Sequence, residues 1–165
     1  MATTIRGDDN FDTAFAKSVA IIADVKSVST DGGTNTINIW QTRDLNTEID
    51  DPENIVSISA NQFTLQAGKY LIEWSCPAYA VNRHVSRLYN ITTSTVEGEG
   101  TALYADVSGS ISNVTTGAAI VTVASANALE IQHYTQTAKA GDGFGVDVIT
   151  GNSVYTLVKI HKIGA

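Results

Sequence analysis

Hydrophobic and polar residues alternate in short blocks along most of this chain. In residues 128–137, Leu129 and Ile131 share one face of an extended chain, while Glu130 and Gln132 share the other. Val, Ile, Thr and aromatic residues concentrate in such blocks, and Gly, Asn, Asp and Ser separate them, as is typical of strands and turns. The pattern predicts strands at residues 19–29, 36–40, 55–59, 62–65, 70–78, 84–92, 101–107, 118–123, 128–137, 145–150 and 154–163.

The number and spacing of these strands indicate the fold class. Many short strands without a dividing linker favour one all-β domain over residues 18–165, an antiparallel β-sandwich of the jelly-roll type with little or no helix. The strand at 154–163 is apolar on both faces at its start, which suits a core on one side and a neighbouring subunit on the other. The polar N-terminal segment, residues 1–17, is expected to be either a tether to a larger assembly or a short helix over 10–17.

Composition and charge exclude several classes of function. With 43% hydrophobic and 16% charged residues the chain can form a core, and its net charge of −7 argues against a nucleic-acid partner. The longest apolar run, residues 19–23, is too short to span a bilayer, and charges occupy the place of a signal peptide's apolar core. We therefore expect synthesis in the cytoplasm without a signal peptide, and no membrane insertion.

One crowded stretch carries the residue types of a thiol hydrolase, namely Cys76, Asn82 and His84. By period-2 counting, however, Cys76 shares a face with Tyr70 and Ile72, which predicts a buried thiol rather than a nucleophile beside a cation or a helix N-terminus. No nucleophile elbow, paired carboxylates or zinc-protease motif occurs elsewhere in the sequence. The sequence therefore predicts a protein that is not an enzyme, with no catalytic residue, no metal site and no cofactor.

The same stretch holds the densest cationic group of an acidic chain, formed by Arg83, His84 and Arg87. These side chains have two interpretations. They are either solvated charges at a strand edge, or a contact with a ligand or subunit, since Arg with nearby Tyr79 and Tyr89 is enriched at interfaces.

Three segments resemble a known family: NQFTLQAGKYLIEW at residues 61–74, RLYNIT at 87–92 and the closing VYTLVKI at 154–160. They are similar to C1q/TNF-like jelly-roll domains at the ends of bacteriophage tail or head fibres and in related prophage proteins, over residues 19–163. In that family the G-x-Y step starts a core strand, so the resemblance implies a turn at Gly68 and an inward anchor at Tyr70. The chain has no collagen-like stalk and no recognisable Asp pattern for Ca²⁺, and neither property is carried over.

The resemblance implies a homotrimer in which one sheet of each subunit packs about a threefold axis, with Tyr155 and Leu157 near the interface. It also makes aromatic and polar loop residues candidates for contact with a host-surface ligand such as a glycan. These candidates are Tyr79, Arg83, His84, Tyr104 and Phe144.

The expected function is that of a non-enzymatic virion component. The chain would be a trimeric fibre, tail or head-decoration domain on the particle surface, joined to other virion proteins through residues 1–17. It would bind a host-surface ligand or stabilise the particle. The alternative is a free-standing bacterial carbohydrate- or ligand-binding module.

Overall fold

The computed structural model describes residues 18–164, so the expectations for residues 1–17 lie outside the described residues. This part of the chain contains no helix, and hence none that could cross a membrane. It forms twelve strands: β1 (Val19–Lys26), β2 (Trp40–Thr42), β3 (Thr47–Asp50), β4 (Val56–Ser59), β5 (Gln62–Leu65), β6 (Gly68–Tyr79), β7 (Asn82–Asn90), β8 (Thr95–Glu99), β9 (Leu103–Ala105), β10 (Ser112–Val123), β11 (Asn127–Thr135) and β12 (Ser153–Gly164).

The strands form two antiparallel sheets. The five-stranded sheet has the order β10-β6-β12-β1-β3. The seven-stranded sheet has the order β4-β5-β11-β7-β8, with β2 paired to β11 and β9 paired to β7. Their inner faces enclose one large apolar cluster between them. The all-β antiparallel sandwich that the alternation pattern predicts is therefore confirmed.

Strand β6 shows how the sequence pattern produces the core. Tyr70, Ile72, Trp74 and Cys76 are all at most 3% exposed, whereas the intervening side chains point out of the sandwich. A fully buried side chain of this size stabilises the fold by about 1.5–3 kcal/mol relative to an exposed one. The inward anchor that the resemblance implies at Tyr70 and the buried position of Cys76 are confirmed.

Several predicted boundaries are wrong, and one error changes the interpretation of the crowded stretch. Strand β6 continues through Pro77 to Tyr79, and β7 begins at Asn82, so residues 79–84 are not a long exposed connection. Proline has no backbone N–H to donate to a neighbouring strand. Pro77 is tolerated because it pairs with Val114 of β10 on one side only, since the pairing of β6 with β12 on the other side ends at Ser75. The predicted strand at 145–150 is irregular, and strands β3 and β8 arise where the sequence favoured turns.

One part of the interior is polar rather than apolar. The indole Nε1 of Trp74 donates to the Ser86 hydroxyl at 2.8 Å, and that hydroxyl lies 3.0 Å from the Thr115 hydroxyl. Gly117 lies directly beside the indole, where a Cβ would come within 2.0 Å of a Trp74 ring carbon. The glycine is required by this close approach, because any side chain at position 117 would overlap the ring.

Candidate binding face

Strand β7 divides its side chains between the core and the outer face of the seven-stranded sheet. His84, Ser86 and Leu88 are buried, whereas Arg83 is exposed and Arg87 half-buried on the opposite side. Successive side chains of a strand point to opposite faces, so the two arginines share the outer face four residues apart, about 13 Å.

Aromatic residues from neighbouring strands join these arginines. Residues opposite each other in an antiparallel pair project to the same side, and in this sheet Arg83 pairs with Tyr104, Val85 with Tyr134, and Tyr134 with Trp40. We call this group the arginine–aromatic face. It consists of Trp40, Arg83, Val85, Arg87, Tyr104 and Tyr134.

The Arg87 guanidinium is held in a fixed orientation on this face. Its Cζ lies 3.9 Å from the centroid of Trp40 and 5.1 Å from that of Tyr89. Its Nε donates to Gln132 at 2.7 Å, and the Gln132 amide in turn donates to Glu130. Stacking on aromatic rings and a hydrogen-bonded Nε restrict the orientation of the Arg87 guanidinium.

An open depression of about 710 Å³ lies beside Arg83 on the same sheet. Arg83, Val85, Tyr104 and Tyr134 contribute to its lining. Tyr104 is 52% exposed, which is a large exposed fraction for an aromatic side chain. The depression therefore offers flat apolar rings beside a cation.

The five residues predicted to contact a ligand do not form one site. Arg83 and Tyr104 are paired on the arginine–aromatic face. Tyr79 lies on β6 of the other sheet, with the Lys139 ammonium 4.9 Å from its ring. His84 and Phe144 are buried, at 2% and 5% exposure, so their expected position in exposed loops is wrong. Binding by Arg83 and Tyr104 stays a prediction.

The buried pair belongs to a polar layer at one end of the sandwich, centred on a residue that sequence reasoning missed. Arg43 is 1% exposed and donates to the Thr156 hydroxyl, the Pro77 carbonyl and the Phe144 carbonyl at 3.0–3.1 Å. Burial lowers the pKa of Arg43. The sequence gives no sign that Arg43 is buried, because no motif distinguishes it from an exposed charged residue in a connection between two short strands. The Arg43 hydrogen bonds therefore connect the segment 138–152, at the Phe144 carbonyl, with Pro77 of β6 and Thr156 of β12.

The candidate thiol site does not have the chemistry of a nucleophile. Burial raises the pKa of the Cys76 thiol to about 11, although the nearby Arg43 cation opposes this effect. The Asn82 amide donates to Thr137 at 2.9 Å, away from the thiol. In residues 18–164 no three His, Cys, Asp or Glu side chains are grouped so as to hold a metal ion.

The two candidate interface residues differ in their surroundings. Leu157 is half-buried on the outer face of the five-stranded sheet, between Ser75 and Ala23. Tyr155 is 4% exposed, and its hydroxyl donates to the Thr30 carbonyl at 2.8 Å. Its own chain therefore already covers Tyr155, and the interface prediction rests on Leu157.

Comparison with known proteins identifies the fold. No family model matches the chain, and no curated protein matches its sequence. Among solved structures, it is similar to the globular domain of zebrafish complement 1qA protein, with TM-score 0.54, 15% identity, 89% of this chain and 98% of that chain covered. It is also similar to murine APRIL at pH 5.0, with TM-score 0.58, 10% identity, and coverage of 88% and 98%. The chain thus has the C1q/TNF-like jelly-roll fold, which the resemblance implies.

Proposed function

We propose that this chain is a homotrimeric, non-enzymatic module of a phage particle, located on the particle surface as part of a fibre, tail or head decoration. In this proposal the outer face of the five-stranded sheet forms the subunit interface. The arginine–aromatic face points outward to a host-surface ligand, and residues 1–17 join the module to other virion proteins.

The surface of the five-stranded sheet is the observation that carries the proposal. Along β10, Val114 is 50% and Ile120 is 62% exposed, and both project outward with Leu157 of β12. Charges at the centre of this face are of opposite sign, because Glu73 of β6 pairs in register with Lys159 of β12. Exposed apolar side chains that share one sheet face with charges of opposite sign are compatible with a contact between proteins. Identical subunits usually bury such a surface by assembling with closed rotational symmetry.

The surface also has a recess that a neighbouring subunit could fill. A depression of about 440 Å³ lies on this sheet, with Trp74, Ser75, Gly117 and Leu157 in its lining. The two sheets present opposite outer faces, so packing about the five-stranded sheet leaves three arginine–aromatic faces exposed. Three weak sites on one trimer would bind a repetitive surface with useful avidity.

Substitutions on two strands of the five-stranded sheet test the interface. Leu157→Asp and Ile120→Asp each place an unpaired carboxylate in the proposed interface and should reduce the trimer to monomer in analytical ultracentrifugation. Ile149→Asp is the matched control, because Ile149 is 80% exposed in a turn and Asp tolerates its φ of 57°. A trimer that persists in both interface variants would refute this packing.

The place of the module on a particle needs a separate test. An antibody against the folded chain should label fibres, tails or heads in electron micrographs of the parent phage. Particles without label, with the chain found free in the bacterium, would favour the alternative of a free-standing carbohydrate- or ligand-binding module. Neither result affects the ultracentrifugation test of the trimer, which does not depend on where the chain is located.

A further inference from the structure

We infer that the arginine–aromatic face binds a glycan that carries carboxylates, with Arg87 and Arg83 as the anion-binding groups and aromatic side chains as the sugar platforms. This inference rests on the proposed function, since it names the ligand class of the outward face. The sequence predicted ligand contacts at Arg83 and Tyr104, and the inference adds Trp40, Arg87 and Tyr134 to that set.

Arg87 is the first reason for an anionic ligand. In residues 18–164 its Nε makes the only hydrogen bond of the guanidinium, to Gln132, and the two terminal amino groups have no hydrogen bond or ion pair. Glu99 of β8 lies opposite Arg87 in register but forms no ion pair with it. Stacking and the Nε bond already fix this side chain, so a ligand carboxylate would bind with little further loss of side-chain entropy.

The charge of the surroundings is the second reason. The net charge of the chain is −7, yet among residues 18–164 no carboxylate contributes to the lining of the depression next to Arg83. Glu130, which neighbours Arg87 through Gln132, is 6% exposed and already accepts a hydrogen bond. The depression beside Arg83 is therefore a local cationic area on an acidic protein, whereas Arg87 also faces Glu99 across the β7–β8 pair.

The aromatic side chains indicate a sugar rather than a small anion. Tyr104 and Tyr134 flank β7 on its two sides and are offset by two residues along it, which places them about 12 Å apart. Rings at this spacing can each take the apolar C–H face of a different sugar in one oligosaccharide, with Val85 forming the floor between them. The depression is open and shallow enough for an extended chain.

The density of charge separates an acidic glycan from a nucleic acid. Two arginines about 13 Å apart match carboxylates on separated sugars. A nucleic-acid strand carries a phosphate on every nucleotide, and an acidic protein repels such a closely charged chain. Single-stranded nucleic acid, which also stacks on aromatic rings, is therefore an outcome of the test and not the proposal.

The experiment is calorimetric titration of the full chain with paired probes. The acidic probes are trigalacturonic acid, a glucuronate-containing oligosaccharide and sialyllactose. The neutral partners are the methyl ester of each acid, and oligothymidylate is the nucleic-acid probe. We expect at least one acidic probe to bind at least tenfold more tightly than its ester, and the binding to weaken as salt is raised.

Three variants locate the binding. Arg87→Gln and Tyr134→Ala should each weaken binding of that acidic probe at least tenfold. Lys162→Gln, which removes an exposed cation near the end of β12, should change the binding less than twofold. Circular dichroism and ultracentrifugation of each variant separate loss of binding from loss of folding or of the trimer.

Four results would overturn the inference. They are equal binding of acid and ester, unchanged binding in Arg87→Gln, absence of binding by every acidic probe, and tighter binding of oligothymidylate. A monomer that binds the acidic probe would refute the trimer and leave the glycan site standing.

Discussion

The Nδ1 atom of His84 lies 3.0 Å from Nε2 of His133, and both rings are buried between the sheets. Phe144 stacks on the His133 ring with centroids 5.6 Å apart, and the Arg43 guanidinium lies 4.1 Å from the Phe144 centroid. Within residues 18–164, His84 Nε2 and His133 Nδ1 have no hydrogen-bond partner. Protonation of this pair would therefore place a second positive charge beside the buried cation.

We expect this pair to make the protein less stable in mild acid. Burial, assisted by the Arg43 cation, lowers the pKa of His84 to about 4, and the same causes lower the pKa of His133 well below its usual range. The unfolded chain binds these protons near pH 6.5, whereas the folded chain does not. The free energy of unfolding should be constant just above pH 6.5 and fall by about 1.4 kcal/mol per pH unit per histidine towards pH 4. Urea unfolding at fixed protein concentration measures this.

Variants assign the pH dependence to the pair. His84→Asn or His133→Asn should flatten the decline, whereas Thr122→Ala, at an exposed position without a titratable group, should leave it unchanged. Asp24, whose pKa is raised mainly by burial, acts in the opposite sense as it titrates, so the comparison with the histidine variants isolates their part. A free energy of unfolding that is flat from pH 6.5 to 4.5 would contradict the role of the pair.

Cys76 should react with a thiol reagent only when the chain unfolds. Its side chain is fully buried, and its pKa of about 11 leaves almost no thiolate near neutral pH. The measurement is the rate of colour development with an aromatic disulfide reagent in native buffer and in denaturant. Rapid stoichiometric reaction of the native protein would show that the thiol is accessible.

Replacing Arg43 should weaken the attachment of the 138–152 segment. Arg43→Met removes three hydrogen bonds and leaves the Pro77 and Phe144 carbonyls buried without this donor. We expect the free energy of unfolding to fall by about 2–4 kcal/mol. Arg83→Met, on the exposed outer face, should change it by about 0.5 kcal/mol or less. If the free energy of unfolding fell equally in the two variants, the buried hydrogen bonds of Arg43 would not stabilise the fold more than an exposed arginine does.

Gly117→Ala should destabilise the sandwich by displacing the Trp74 indole from its buried position. The added Cβ would overlap the Trp74 indole, and overpacking of this kind costs about 1–3 kcal/mol. Thr122→Ala, at an exposed position of the same strand, serves as the control. A Gly117→Ala protein as stable as the control would show that the indole can move aside without cost.

The sequence predicted the elements whose pattern is local. The alternation around Tyr70 and Ile72 specifies an inward face within one strand, and it correctly placed Cys76 in the core. The pairing of strands distant in sequence is not encoded in any one window, so the stack of Arg87 on Trp40, 47 positions away, was not foreseen.

Two charged or titratable residues are buried where the sequence did not predict burial, namely His84 and Arg43. His84 was expected to be displayed because it neighbours Arg83, but alternation along β7 sends adjacent side chains to opposite faces. Arg43 was overlooked because a charged residue is rarely buried without a carboxylate partner, and backbone carbonyls take that role in this protein.

The central claim is that three chains associate through the five-stranded sheet and leave three arginine–aromatic faces exposed. Sedimentation equilibrium of the wild-type chain at micromolar concentration tests it most directly. The account predicts a single species with three times the mass of one chain. A species with the mass of one chain throughout that concentration range would contradict it.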